Sequence, residues 1–175
     1  DRNFMELFNL ERDSNNLKFM MEEDYLCRGC GAKLSEQSLK KALTKVKLST
    51  LANSPKDAAL IATLASEKIF QSVDAFPAII SDPWLNGRIT ALHASSDLWA
   101  TGVPVLSAQV VISLPRTSSR IQEELLAQSL AGIQSALIPQ GANVVGGHTF
   151  ESRNSSHSPN TLGLELMLSV NGSLN

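Results

Sequence analysis

The stretch from Asp57 to Asp74, DAALIATLASEKIFQSVD, decides how this chain folds. Residues 58–64 and 68–73 are short, aliphatic and partly β-branched, and the polar pair Ser66-Glu67 separates them. This pattern predicts two antiparallel strands folded back on each other. The open ends of such a hairpin are neighbours, so Asp57 and Asp74 are expected to share one locus although a whole hairpin separates them in sequence.

Downstream of the hairpin, Asp82-Pro83 offers an N-cap followed by the one helical position where proline is welcome. Gly102 and Pro104 provide the matching stop, which predicts a helix over 83–101. Ile89, Leu92, Ser96 and Trp99 share one of its faces, while His93 and Asp97, four apart, project from an adjoining side. The β-branched run over 105–114 predicts a long strand. Ser119 is expected to cap a third helix with Ile121, Leu125, Ile133 and Leu137 on its inner face, ended by Pro139 and Gly141.

Residues 143–145 read as a strand leading into Gly146-Gly147-His148-Thr149. A polar loop over 151–160 and a last strand over 162–170 follow. Upstream, Ser35 is expected to cap a helix over 36–47, in which Leu39, Ala42, Leu43 and Val46 recur at three- and four-residue steps. The order α, β, β, α, β, α, β, β predicts one α/β core, which suits a chain of 175 residues. Residues 1–24 have mixed charge and an Asp13-Ser14-Asn15-Asn16 run, and read as a linker or the remnant of a preceding domain; the domain proper is expected over 25–175.

Fifteen basic and 17 acidic side chains leave no basic footprint, so nucleic acid and anionic membrane surfaces are poor partners. No apolar run approaches the ~20 residues of a membrane span, and the start lacks a signal-peptide pattern, so a cytoplasmic setting is expected. The two cysteines lie in one glycine-containing loop, which favours reduced thiols over a cross-link.

That loop, Cys27-Arg28-Gly29-Cys30-Gly31-Ala32-Lys33, admits several readings. Two thiols two residues apart can be half of a zinc site or a redox pair. The favoured reading makes Cys30 a reactive thiol whose thiolate is supported by the nearby Lys33. An unreactive surface loop is the plain alternative. Asp57, Asp74 and Asp97 read singly as turn or helix residues, Asp97 being solvated or bonded to Ser95 or Arg88. Gathered at one locus they would repel each other unless Mg²⁺ joined them, which points to a metal-nucleotide site. Gly146 and Gly147 are either a plain turn or a place where backbone amides approach phosphate, with Thr149 adding a hydroxyl. His93 reads as a packing or hydrogen-bonding residue, and His157 as solvated.

Taken together, Cys30-Gly31-Ala32-Lys33, Asp57-Ala58-Ala59, Val73-Asp74-Ala75-Phe76-Pro77, Asp82-Pro83-Trp84, Gly87-Arg88-Ile89, Ser96-Asp97 and Gly146-Gly147-His148-Thr149 resemble the selenophosphate synthetases, or selenide, water dikinases. The resemblance implies the N-terminal, ATP-binding domain of the aminoimidazole ribonucleotide (AIR) synthetase superfamily, a PurM-like α/β fold. In it a mixed sheet is covered by helices and pairs with that of a second subunit to form a barrel. It also implies the conversion of ATP, selenide and water to selenophosphate, AMP and phosphate. By that resemblance Cys30 and Lys33 are catalytic, and Lys33 also contacts phosphate. Asp57 and Asp97 bind magnesium, Asp74 contacts nucleotide or metal, and Gly147, His148 and Thr149 touch ATP. A homodimer is implied, with a C-terminal domain absent from this sequence and, in some relatives, a fused flavoprotein oxidoreductase-like domain. Lys56, His93 and Leu85-Asn86 depart from the family pattern. They keep open the alternative of a degenerate Mg-ATP-binding or dimerisation domain without selenide chemistry.

Overall fold

The computed structural model describes residues 35–48, 56–152 and 162–175. Its elements follow the expected order: α1 (Glu36–Lys45), β1 (Ala58–Leu64), β2 (Glu67–Pro77), α2 (Pro83–Ala100), β3 (Val105–Leu114), α3 (Ser119–Leu137), a 3-10 turn (Ile138–Gln140), β4 (Asn143–Glu151) and β5 (Glu165–Leu174). The five strands form one sheet in the order β1-β2-β5-β3-β4. Only β3 and β4 run parallel, because α3 carries the chain back between them; the other neighbours are antiparallel. The fold class is therefore mixed α/β.

Local signals place the helix starts. The Ser35 side chain accepts from the Ser38 amide, and the Asp82 side chain accepts from the Leu85 amide at 3.0 Å. The third helix corrects the expectation by one residue. Ser118, not Ser119, occupies the cap position, and its side chain makes no capping bond. Buried Asn86 locks the entry to α2: its Oδ1 accepts from the Ile79 amide at 2.9 Å, and its Nδ2 donates to the carbonyls of Ile80 and Asp82. These bonds satisfy backbone groups that the turn after β2 would otherwise leave unpaired.

Helices α2 and α3 cover one face of the sheet. Ala108, Val110 and Ile112 of β3 and Leu166, Leu168 and Val170 of β5 point to them at every second residue, joined in the core by Ala91, Ala94 and Leu98 of α2 and Leu125, Ile133 and Leu137 of α3. Each Val, Leu or Ile among them contributes roughly 1.5–3 kcal/mol by leaving water. The face of α2 that carries Ile89, Leu92, Ser96 and Trp99 is not the one that packs. Ile89, Leu92 and Trp99 are exposed, and the buried face is made of small residues: Gly87, Thr90, Ala91, Ala94 and Ser95, with Leu98. Small residues are needed because α2 and α3 touch backbone to backbone. A Cβ on Gly87 would run into the Ser129 carbonyl, and one on Gly132 into the Trp84 carbonyl. Arg88 braces the crossing by donating from Nη1 to the Ser135 carbonyl at 2.8 Å and its Oγ at 2.9 Å. On α3, Ile121 is exposed, although its pattern placed it inside.

The opposite sheet face has no helix over it among the described elements and exposes Val73 and Met167. A pocket of about 220 Å³ lies there, lined by Ala75, Val111, Phe150 and Met167 among others.

Candidate functional site

β2 and α2 meet through a pair of polar rungs. Strand alternation puts Ser72, Asp74 and Phe76 together on the helix-covered side, all buried, and helical spacing puts His93 and Asp97 one turn apart on α2. The Ser72 hydroxyl donates to Oδ2 of Asp97 at 2.9 Å, and Nδ1 of His93 lies 2.9 Å from Oδ2 of Asp74. A carboxylate only accepts, so Nδ1 of His93 carries the proton in the second bond. Each element thus contributes one donor and one carboxylate, and each carboxylate is held by the donor of the other element. His93 also packs edge-on against Phe76, with centroids 4.7 Å apart. Its side chain is 32% exposed whereas that of Asp74 is 9% exposed, so the rungs run from near the surface into the interior.

Two alternatives for Asp97 fall away. Ser95 donates instead to the Ala91 carbonyl, and Arg88 is engaged with Ser135.

Asp57 approaches the same corner. Ala58 pairs with Ser72, so Asp57 precedes β1 at the level of Val73, one residue from Asp74 along β2, and it is exposed. The hairpin therefore brings the backbones of Asp57 and Asp74 near each other, while alternation puts Val73, at the level of Asp57, on the sheet face opposite Asp74. Among the described residues no three His, Cys, Asp or Glu side chains are gathered closely enough to hold a metal ion between them.

Gly147, His148 and Thr149 are not part of this corner. They lie within β4 rather than in a turn after it, the strand continuing to Glu151. Pairing places Asp74, Leu168, Val110 and Gly147 in one row, so Gly147 sits three strand spacings from Asp74, about 14 Å. A Cβ on Gly147 would collide with the Val110 carbonyl, so close approach of β3 and β4 already accounts for this glycine. Cys27, Cys30 and Lys33 lie outside the described residues.

Residues 55–167 match the model of the family described as AIR synthase related protein, N-terminal domain. The chain belongs to this family. Among curated relatives, the AIR synthase related domain is 35% identical over 108 residues to the selenide, water dikinase of Nitratidesulfovibrio vulgaris strain Miyazaki F, covering 62% of this chain and 30% of that protein. It is 31% identical over 145 residues to the selenide, water dikinase of Myxococcus xanthus, covering 79% and 40%. The chain thus spans well under half the length of these relatives. A solved structure, AaThiL complexed with AMPPCP and TMP, superposes with a TM-score of 0.59 at 16% identity over 81% of this chain and 44% of that one, a likeness of fold.

Within this AIR synthase related domain, Ser72 is the site residue that motif reading passed over. Its signal is period two: Ser72, Asp74 and Phe76 share one face of β2, and a hydroxyl on the buried face of a strand needs a partner. His93 is a hydrogen-bonding residue, as its sequence context indicated, and its partner is the candidate Asp74. No helix among the described residues is long and apolar enough to cross a membrane.

Proposed function

We propose that this domain is the ATP-binding, catalytic-loop part of a selenide, water dikinase, which turns ATP, selenide and water into selenophosphate, AMP and phosphate. The observation that supports the reading is the pair of rungs that fixes Asp74 on β2 and Asp97 on α2, near the end of β1 that Asp57 precedes. The proposal also draws on the two selenide, water dikinases to which the chain is similar.

The donors suit magnesium. They are hard carboxylate oxygens, and Mg²⁺ is commonly held by one or two carboxylates while nucleotide phosphates complete its shell, so a protein cage of three side chains is unnecessary. Asp57 and Asp97 would hold it, and Asp74 would contact the nucleotide or the metal. When bound, the cation neutralises phosphate charge and so permits an anionic nucleotide to sit among carboxylates. Lys33 contributes a cationic phosphate contact. Cys30 supplies the thiol that handles selenide or a phosphorylated intermediate.

Gly147, His148 and Thr149 enter this reading as nucleotide contacts made across a subunit boundary. On the helix-covered face the row between them and Asp74 is filled by buried Val110 and Leu168, so a nucleotide cannot cross it on that face within one subunit. The uncovered apolar sheet face, with Val73, Met167 and the pocket beside Phe150, is the surface a second copy would cover in a homodimer. ATP and selenide are the small-molecule partners, with a C-terminal domain completing the site, and the cytoplasm is the expected setting.

In the full-length protein, selenide-dependent formation of AMP from ATP tests the reading, and Cys30→Ser or Lys33→Ala should abolish it. Unaltered turnover in both variants would remove the assigned roles. Mg-ATP binding with no selenide-dependent AMP in the wild type would instead favour the degenerate-domain alternative.

A further inference from the structure

Ser72 spends its hydroxyl in a way that the other buried hydroxyls do not. Thr90 and Ser95 donate to carbonyls one helical turn back, at Asn86 and Ala91, and so satisfy themselves within α2. Ser113 and Ser129 have no hydrogen-bond partner for their hydroxyls among the described residues. Ser72, 1% exposed on a strand, has no such local carbonyl, and it crosses to α2 to donate to a half-buried carboxylate. An apolar side chain at this position would leave no unmet group on β2, which here faces the same helix layer as Ala108 and Val110 of β3, and would take only from Asp97 the donor to its Oδ2. The hydroxyl therefore has a use other than packing.

We infer that Ser72 is a positioning residue for Asp97. By holding Oδ2, it fixes the rotation of the carboxylate and leaves Oδ1, which accepts from no described side chain, as the oxygen available to a divalent cation. A carboxylate on a helix has two torsions to settle before it can ligate, and a bond to one oxygen settles the outer one in advance. The neighbouring rung repeats the device with the roles of strand and helix exchanged: His93 of α2 holds Oδ2 of Asp74 on β2. The inference rests on the reading of Asp97 as a cation ligand, and its test separates the two.

The experiment uses the full-length protein with a non-hydrolysable ATP analogue, titrated with Mn²⁺ followed by its spin-resonance signal, alongside thermal melting. Ser72→Ala should weaken Mn²⁺ binding about tenfold while the melting transition stays cooperative, and Ser72→Thr, which keeps the hydroxyl, should restore the affinity. Should Ser72→Ala fail to fold, Ser72→Cys, close in size and a poor donor, takes its place with the same expected loss. Wild-type Mn²⁺ affinity in Ser72→Ala or Ser72→Cys, together with a loss in Asp97→Asn, overturns the positioning role and leaves Asp97 as a ligand. Wild-type affinity in Asp97→Asn overturns both.

Discussion

The two halves of α2 are held by different physics. The N-terminal half is pressed against α3 through Gly87 and Gly132, with no room for a methyl group, and is anchored by the four side-chain bonds of buried Asn86. The C-terminal half meets β2 through hydrogen bonds from polar side chains, Ser72 to Asp97 and His93 to Asp74. The first contact is steric and tolerates almost no change; the second is polar and partly open to water. One helix thus carries a rigid anchor and, about two to three turns further on, groups that can exchange partners with a ligand.

Substitutions break or sharpen that contrast. Gly132→Val forces the α2–α3 crossing apart and is expected to cost about 3 kcal/mol or more, read as a large fall in the thermal midpoint. Asn86→Ala leaves buried backbone groups unpaired and should cost about 2 kcal/mol in urea unfolding. His93→Ala removes the partner of a buried carboxylate. Because the imidazole is a third exposed, water replaces part of the bond, and the loss should be about 1 kcal/mol by the same measurement. Asp97→Asn should move stability least, by about 0.5 kcal/mol, and yet abolish magnesium-dependent nucleotide affinity in calorimetry of the full-length protein. Equal stability losses for Gly132→Val and Asp97→Asn would erase the distinction between the two halves.

Element order was legible in the sequence because caps and breakers mark it: Asp82-Pro83 opens α2, and Gly102 with Pro104 closes it. The packing side of α2 was not. Large apolar residues normally mark the buried stripe, but a backbone-to-backbone helix contact selects Gly, Ala and Ser there and pushes Ile89, Leu92 and Trp99 outward. Gly146-Gly147 misled in a related way. Two glycines usually punctuate a chain, whereas here Gly147 makes room for β3 and the strand continues through it. The places of Asp57, Asp74 and Asp97 along the hairpin and α2 were legible because hairpin geometry and helical spacing set them, but among the described residues the three do not gather into one cluster. Ser72 was not legible, since only a tertiary contact reveals the carboxylate that it serves.

The last strand of the described sequence, β5, is central, pairing with β2 on one side and β3 on the other. On a ribosome, β1 with β2 and β3 with β4 can form as two separate half-sheets, each exposing a row of unmatched backbone groups, and no sheet hydrogen bonds join them until residues 165–174 emerge. Closing that gap pairs Asp74 with Leu168 across a long loop, a slow event compared with forming either half. A nascent chain stalled before β5 would therefore have two unpaired inner edges, on β2 and β3, and a core lacking Leu166, Leu168 and Val170.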